Sequence, residues 1–267
     1  MVSMNRSLIL KKGIVFADKP AGITSFDLVE AVKNSLGVEK AGHAGTLDPL
    51  VTGVMLVALN EATKAMPVLM GLDKEYEGVM HLHSDVKEGV LSEAVRSFTG
   101  KIIQTPPRRS AVKRAARERE IYSFEVLSVM GREVSFRVRC QSGTYVRKLC
   151  SDLGEKLGSG AHMARLRRTK LGPFTIDECT PPGELKDGDV LLLEQVLDRL
   201  SIKKVFIKKS FTERVMNGNP IEKEWVESED SGISRGDYVA VYLGNDLFAL
   251  GTYGTLRFAK IERIFKN

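Results

Sequence analysis

Tyr122-Ser123-Phe124-Glu125-Val126-Leu127-Ser128-Val129-Met130-Gly131-Arg132-Glu133-Val134-Ser135-Phe136-Arg137-Val138-Arg139-Cys140 is the stretch on which the fold turns. Two runs of alternating polarity flank Gly131-Arg132, the pattern of antiparallel strands joined by a tight turn. In the second run Val134, Phe136, Val138 and Cys140 fall on one face and Ser135, Arg137 and Arg139 on the other. The sheet so predicted has one packed side and one solvated side.

Toward the C-terminus, Gly143 precedes a predicted helix over residues 144–157, with Val146, Leu149, Cys150, Leu153 and Leu157 as its apolar stripe. Toward the N-terminus, residues 91–98 read as a short helix ended by Gly100. Residues 74–83 alternate again, with Tyr76, Gly78, Met80 and Leu82 on one face. Further back, residues 61–70 read as helix and 54–59 as a buried strand, preceded by the glycine-punctuated Gly42-His43-Ala44-Gly45-Thr46-Leu47-Asp48-Pro49. Gly13-Ile14-Val15-Phe16-Ala17 is a second buried strand, after which Thr24 or Ser25 caps a helix carrying Leu28, Val29, Val32 and Leu36 and stopped by Gly37. Strands and helices mix without βαβ repetition, so the fold class is α+β: a mixed, largely antiparallel sheet with flanking helices.

Composition shifts at Cys179-Thr180-Pro181-Pro182-Gly183, and after a predicted helix over 190–200 the chain becomes strand-rich. Val239-Ala240-Val241-Tyr242 and Leu247-Phe248-Ala249-Leu250 are short β-type runs parted by Gly244-Asn245-Asp246. A boundary near Ser201 divides the chain into residues 1–200 and a small C-terminal β module, 201–267.

The 267 residues are 43% hydrophobic and 28% charged, which excludes disorder, collagen and a disulfide-stapled mini-fold. The longest apolar run, residues 54–59, is far short of the ~20 residues of a membrane span. Residues 1–12 hold only Leu8-Ile9-Leu10 before Lys11-Lys12, so no secretory leader is expected and a cytoplasmic protein is. Cys140, Cys150 and Cys179 are too few and too spread for a disulfide framework or a zinc site, and with four histidines no metal is expected.

The net charge of +6 is unevenly spread. Residues 101–119 hold Lys101, Arg108, Arg109, Lys113, Arg114, Arg117 and Arg119 against the single acid Glu118, and Arg165, Arg167, Arg168 and Lys170 form a second cluster. Arginine forks match phosphate oxygens, and binding a polyanion gains from counterion release, so nucleic acid is the leading partner class. A solvated charged loop is the plain reading of the same residues. Asp48 likewise has a plain reading, as a helix N-cap with Pro49 in the first helical position. The glycines around it offer another: backbone brought close to a ligand, with the carboxylate at the edge of a cleft.

The segment from Gly42 to Pro49 quoted above, followed by Thr52-Gly53, resembles the catalytic motif of the TruB family of RNA pseudouridine synthases. Lys19-Pro20-Ala21-Gly22-Ile23-Thr24-Ser25 resembles the family's N-terminal signature, Lys74-Glu75-Tyr76 its tyrosine strand, Gly143-Thr144-Tyr145-Val146-Arg147 its arginine motif and Leu166-Arg167-Arg168 its hydrophobic-basic motif, all in family order. Gln104-Thr105-Pro106-Pro107 and Ser110-Ala111-Val112-Lys113-Arg114, running into Ile121-Tyr122, are similar to the archaeal and eukaryotic dyskerin-type branch of the H/ACA guide RNA particle. Val215-Met216-Asn217-Gly218-Asn219-Pro220-Ile221 and Gly236-Asp237-Tyr238-Val239-Ala240-Val241 resemble a PUA RNA-binding domain, trimmed at its end.

This resemblance implies a pseudouridine synthase fold with a β-barrel-like PUA domain. It also implies an isomerase that converts uridine to pseudouridine in tRNA at position 55, in rRNA as the catalytic subunit of an H/ACA ribonucleoprotein, or in both. No cofactor is implied. Asp48 would be the nucleophile or the stabiliser of a ribosyl cation or glycal, Arg147 its ion-pair partner, and Tyr76 the ring stacked on uracil that assists proton removal at C5. His43, Leu166, Lys74, Arg167 and Arg168 would bind substrate, and Arg108, Arg109, Lys113 and Arg114 the RNA backbone. Partners would be tRNA, rRNA or guide RNA and small H/ACA particle proteins, with a monomeric isolated chain. Without the resemblance Tyr76 and Leu166 read as core, Arg147 as a helix-flank arginine and His43 as a loop histidine. The alternatives are a non-catalytic RNA scaffold, which has no need of Asp48, Tyr76 and Arg147, and a translation-related RNA-binding protein.

Overall fold

The computed structural model of the chain describes residues 6–105, 115–254 and 258–265. The RNA-binding assignments to Arg108, Arg109, Lys113 and Arg114 lie outside the described residues.

A short helix α1 (Arg6–Lys11) leads into β1 (Gly13–Lys19). Next come α2 (Ser25–Leu36), β2 (Ala41–His43) and β3 (Thr52–Leu59), which runs antiparallel to β1. The continuous apolar character of β1 and β3 follows from burial on both faces. Val15, Ala17, Met55, Val57 and Leu59 pack with Leu28, Val29, Val32 and Leu36 of α2, while Ile14, Phe16, Val54, Leu56 and Ala58 pack into a second cluster on the reverse side. Thr24 caps α2 reciprocally with Asp27, and Gly37 closes it in the left-handed region.

The helix expected over 61–70 splits. Residues 60–65 form a 3-10 turn and α3 (Met66–Met70) begins afresh with Pro67 in its first turn, where the missing N–H is tolerated as it is not in a helix interior. Then follow β4 (Lys74–Leu82), α4 (Glu88–Arg96), β5 (Gly100–Gln104), β6 (Arg117–Met130) and β7 (Glu133–Cys140). β6 and β7 make the expected hairpin. Lys101, Arg117 and Arg119 belong to the antiparallel β5·β6 pair rather than to a loop.

After α5 (Val146–Leu157) comes β8 (Ala161–Leu171), then β9 (Phe174–Thr175), β10 (Leu191–Leu192) and α6 (Leu193–Arg199). The helix expected over 190–200 starts late because Leu191 and Leu192 first pair with β1. The large sheet runs β10-β1-β3-β8-β4-β7-β6-β5, with β2 on β3 and β9 on β8; β3·β8 is its parallel pair and the other pairings are antiparallel. The basic cluster 165–170 is thus a central strand, not a surface loop.

The C-terminal part supplies β11 (Lys203–Ile207), α7 (Thr212–Met216), β12 (Val226–Glu229), β13 (Tyr238–Leu243), β14 (Asp246–Tyr253) and β15 (Ala259–Ile264). They form a second sheet in the order β12-β11-β13-β14-β15. Its Ala240, Tyr242, Leu247 and Leu250 share one apolar cluster with Ile14, Phe16, Leu56 and Leu193 of the large sheet and α6. Lys12 reaches across to donate to the Leu247 carbonyl at 3.0 Å. No helix among the described residues is long and apolar enough to cross a membrane.

Candidate active site

Asp48 does not start a helix. Its carbonyl accepts from Val51 N–H at 3.0 Å, closing a four-residue turn that enters β3 directly. The turn is fixed from behind by Lys19, which is wholly buried. Its ammonium donates to the carbonyls of Pro20 (3.1 Å), Pro49 (3.0 Å) and Val51 (2.9 Å), and Gly22 N–H donates to Pro49 O at 3.0 Å. Burial lowers the Lys19 pKa, opposed in part by Asp27. On the near side Ser25 Oγ donates to Leu47 O (3.0 Å) and accepts from Leu47 N–H (2.9 Å). Three segments therefore hold the backbone around Asp48 in one shape.

The Asp48 carboxylate pairs with the guanidinium of Arg147 at the start of α5, from 99 positions away in sequence. Both side chains are about half exposed, 51% and 57%, so the pair adds at most ~1 kcal/mol to folding and stands open to solvent. Arg147 is placed by the burial of its neighbour Val146 in the same core cluster that holds Leu47, Val51, Tyr76 and Leu166. The catalytic motif, arginine motif, tyrosine strand and hydrophobic-basic motif thus converge on one packed unit.

Tyr76 is buried and lies in register with Arg168 across β4·β8. Burial raises its pKa while Arg168, by charge and by a hydrogen bond, works the other way, so the phenol stays protonated at neutral pH. Arg168 is 1% exposed and has no carboxylate partner among the described residues. Its guanidinium donates to Val54 O (2.7 Å) and Gly45 O (3.3 Å). His43 lies on β2; burial and the charge of Arg168 lower its pKa, leaving the ring neutral, and its Nδ1 is buried without a partner among the described residues. Leu166 pairs with Gly78, where any Cβ would sit 2.9 Å from the Leu166 side chain.

Like Arg168, two more residues expected to bind substrate make their hydrogen bonds within the protein. Arg167, alternate to Arg168 along β8, forks onto Asp18 at 3.0 and 2.8 Å. The buried Lys74 ammonium donates to Met70 O (2.9 Å), Leu72 O (2.5 Å) and Ser142 Oγ (2.9 Å), tying the turn before β4 to the loop before α5. Burial and Arg168 bring its pKa down to about 8. Within the basic cluster Arg167 and Arg168 are therefore engaged inside the protein and Lys170 meets Glu75 at 3.4 Å, while Arg165 is exposed on β8. A cavity of about 600 Å³ lined by Asp73, Lys74, Glu75, Arg139 and Lys170 includes neither Asp48 nor Arg147. His81, His83 and His162 gather at the other end of β4 from Lys74, with His83 Nε2 3.0 Å from His162 Nδ1. The sequence offered no signal for the clamp by Lys19 or for Asp18 as partner of Arg167, because both depend on carbonyls or charges distant along the chain.

Residues 33–146 match the TruB family pseudouridylate synthase N-terminal domain, and residues 147–204 match the tRNA pseudouridylate synthase B C-terminal domain. A probable tRNA pseudouridine synthase B of Methanopyrus kandleri is 42% identical over 258 residues, covering 91% of this chain and 76% of that protein. The corresponding protein of Methanocaldococcus jannaschii is 42% identical over 246 residues, covering 87% and 73%. Among solved structures, a chain of a Cbf5-Nop10-Gar1 complex superposes with a TM-score of 0.87 at 38% identity, over 98% of this chain and 87% of that one. A chain of an H/ACA ribonucleoprotein bound to a substrate RNA containing 2′-deoxyuridine gives 0.82 at 34% identity, over 98% and 88%.

Proposed function

The chain belongs to the TruB family and is a TruB-type pseudouridine synthase, and from that premise we propose that Asp48 is its nucleophile, acting on uridine in tRNA or in RNA presented by a guide. The observation that carries this reading is the Asp48–Arg147 pair, solvent-open yet built on a turn that Lys19 and Ser25 hold rigid. A carboxylate fixed in this way by the scaffold loses little freedom on meeting C1′, which is how preorganisation lowers a barrier.

The reaction breaks the C1′–N1 bond, turns the uracil and joins C1′ to C5. The C5 proton is lost and N1 gains one, so atoms and electrons balance within the substrate without oxidant or reductant. Asp48 meets the positive charge that develops at C1′, whether as a covalent ester or as a stabiliser. Arg147 favours the ionised carboxylate and lines it up. Tyr76 and Leu166 form the apolar floor for the uracil, and the neutral His43 lies at its edge. Tyr76 is assigned as the ring stacked on the uracil; taking the C5 proton would need its phenolate, which burial opposes and the charge of Arg168 favours. Lys74 and Arg168 hold the floor together from below rather than touching the base, and Arg167 braces β8 against Asp18.

The neighbours found with Nop10, Gar1 and a substrate RNA support a similar setting here: guide RNA with small H/ACA particle proteins. We assign residues 1–200 to the catalytic domain and 201–267 to a PUA-like RNA-binding module, supported by the five-stranded second sheet. The test incubates the chain with a tRNA transcript, and with guide RNA, partner proteins and an rRNA target, then maps pseudouridine. Asp48→Ala abolishes product while RNA affinity stays within a few fold; retained turnover refutes the nucleophile.

A further inference from the structure

Leu50, at the tip of the turn that carries Asp48, is 80% exposed, and Phe26, at the start of α2, is 68% exposed. Single exposed apolar residues are ordinary on a protein surface. These two differ in where they stand and how firmly they are held. Leu50 lies between Pro49 and Val51, whose carbonyls both accept from the buried Lys19 ammonium, and Pro49 O accepts from Gly22 N–H as well. Phe26 follows Ser25, whose hydroxyl exchanges two hydrogen bonds with Leu47. Each apolar side chain is thus tied through its neighbours' backbone to one flank of Asp48, and each points into solvent. A flexible loop would let such side chains fold back; this clamped rim does not.

The position also limits what can cover them. Residue 50 is two positions from Asp48, so a protein partner or a lipid surface seated on it would close the carboxylate to uridine. The substrate RNA itself is the occupant compatible with catalysis. For the uridine to reach Asp48 it leaves its stack, and the bases on either side lose a neighbour. Apolar and aromatic side chains commonly fill such a gap or receive the displaced base.

We propose that Leu50 and Phe26 form an apolar lip that packs against the nucleobase next to the target uridine, holding the RNA in its unstacked form. This rests on Asp48 being the reacting carboxylate. The lip acts on binding and not on bond breaking, which distinguishes it from the catalytic pair.

The experiment measures single-turnover rate against RNA concentration for the wild type, Leu50→Ser and Phe26→Ser, with a tRNA transcript and with a guide-paired rRNA oligonucleotide, alongside thermal melts. A second arm places photo-leucine at position 50 and maps the crosslinked nucleotide. Each variant is expected to keep its Tm, to raise the half-saturating RNA concentration on the order of tenfold, and to keep its saturating rate within about threefold. The crosslink is expected at the nucleotide flanking the target uridine. An unchanged half-saturation, a fall confined to the saturating rate, or a crosslink only to distant nucleotides or to protein overturns the proposal. Turnover by Asp48→Ala would instead refute the nucleophile assignment, whereas the crosslink map judges the lip independently.

Discussion

Gly53 and Arg168 face each other in the parallel pairing of β3 and β8, so closely that a Cβ on Gly53 would stand 2.2 Å from the Arg168 carbonyl oxygen and 2.7 Å from its backbone nitrogen. Gly53 also has φ of +107°, a region that side-chain-bearing residues rarely occupy. Backbone cannot step aside here without parting the strands that carry the Asp48 turn and the Arg168 guanidinium. Gly53→Ala is therefore expected to cost about 3 kcal/mol or more, a Tm loss of roughly 6–12 °C, with loss of turnover. Differential scanning calorimetry checks it; a Tm within two degrees of wild type would show that the strands yield freely.

For Lys19, two terms oppose each other. Replacing the buried ammonium with Met relieves its desolvation, which is what lowers its pKa, but takes the donor from the buried Val51 carbonyl and from the exposed Pro20 carbonyl, and leaves Pro49 O with Gly22 N–H alone. A buried carbonyl left unpaired costs ~1–3 kcal/mol, and the turn also loses the tie that joins its two ends, so the loss outweighs the relief. Lys19→Met is expected to lower stability by about 1–3 kcal/mol in urea unfolding and to reduce the saturating rate at temperatures where it remains folded. A variant as stable as wild type, with full activity, would remove Lys19 from any role in holding the turn.

How much of this was legible can be judged strand by strand. The β6·β7 hairpin was, because Val134, Phe136, Val138 and Cys140 all meet one dry environment and their alternates meet water. β1 and β3 were legible as buried strands for the opposite reason, since both faces are covered. β8 was not: its cations look like surface, two irregularities in its pairing with β4 break the period, and the groups that satisfy Arg167 and Arg168 come from Asp18, Gly45 and Val54. Asp48-Pro49 has the local chemistry of a helix start, and only the tertiary clamp by Lys19 makes it a turn. The family motifs named Asp48, Tyr76 and Arg147, but motif order said nothing of Leu50 or Phe26, whose interest lies in their exposure.

Arg147 separates catalysis from stability. With both partners about half exposed, the ion pair to Asp48 is worth at most ~1 kcal/mol in folding. Removing a group that fixes the reacting carboxylate costs far more in rate, on the order of 10²–10³-fold by comparison with lost oxyanion-site donors. Arg147→Met is expected to keep its Tm within about 3 °C while its single-turnover rate falls by that factor, and Arg147→Lys to fall in between because an ammonium lacks the planar fork. Equal losses in Tm and rate would make Arg147 a folding residue instead.

The pH dependence of stability follows from groups whose folded and unfolded pKa values differ. Lys74 falls from 10.5 to about 8 through burial and the nearby Arg168. Between those values the unfolded chain holds a proton the folded chain has released, so this lysine makes stability rise with pH from about 8 upward. Burial moves Cys140, Cys150 and Cys179 the other way, from 9.0 to about 12. There the unfolded chain ionises first, and stability falls as pH climbs past 9; Tyr242, raised by burial from 10.0 to about 12, adds to the fall above pH 10. The rise from Lys74, joined by one of the same sign from Lys19, meets the fall from three thiols, so the balance turns over at roughly pH 8.5–9. Urea midpoints are expected to be level or gently rising to that point and then to drop. Lys74→Met removes its part of the rise and moves the turnover to lower pH, whereas Cys150→Ala makes the drop shallower. Stability that keeps increasing to pH 10 would mean that the thiols are not held protonated by the core.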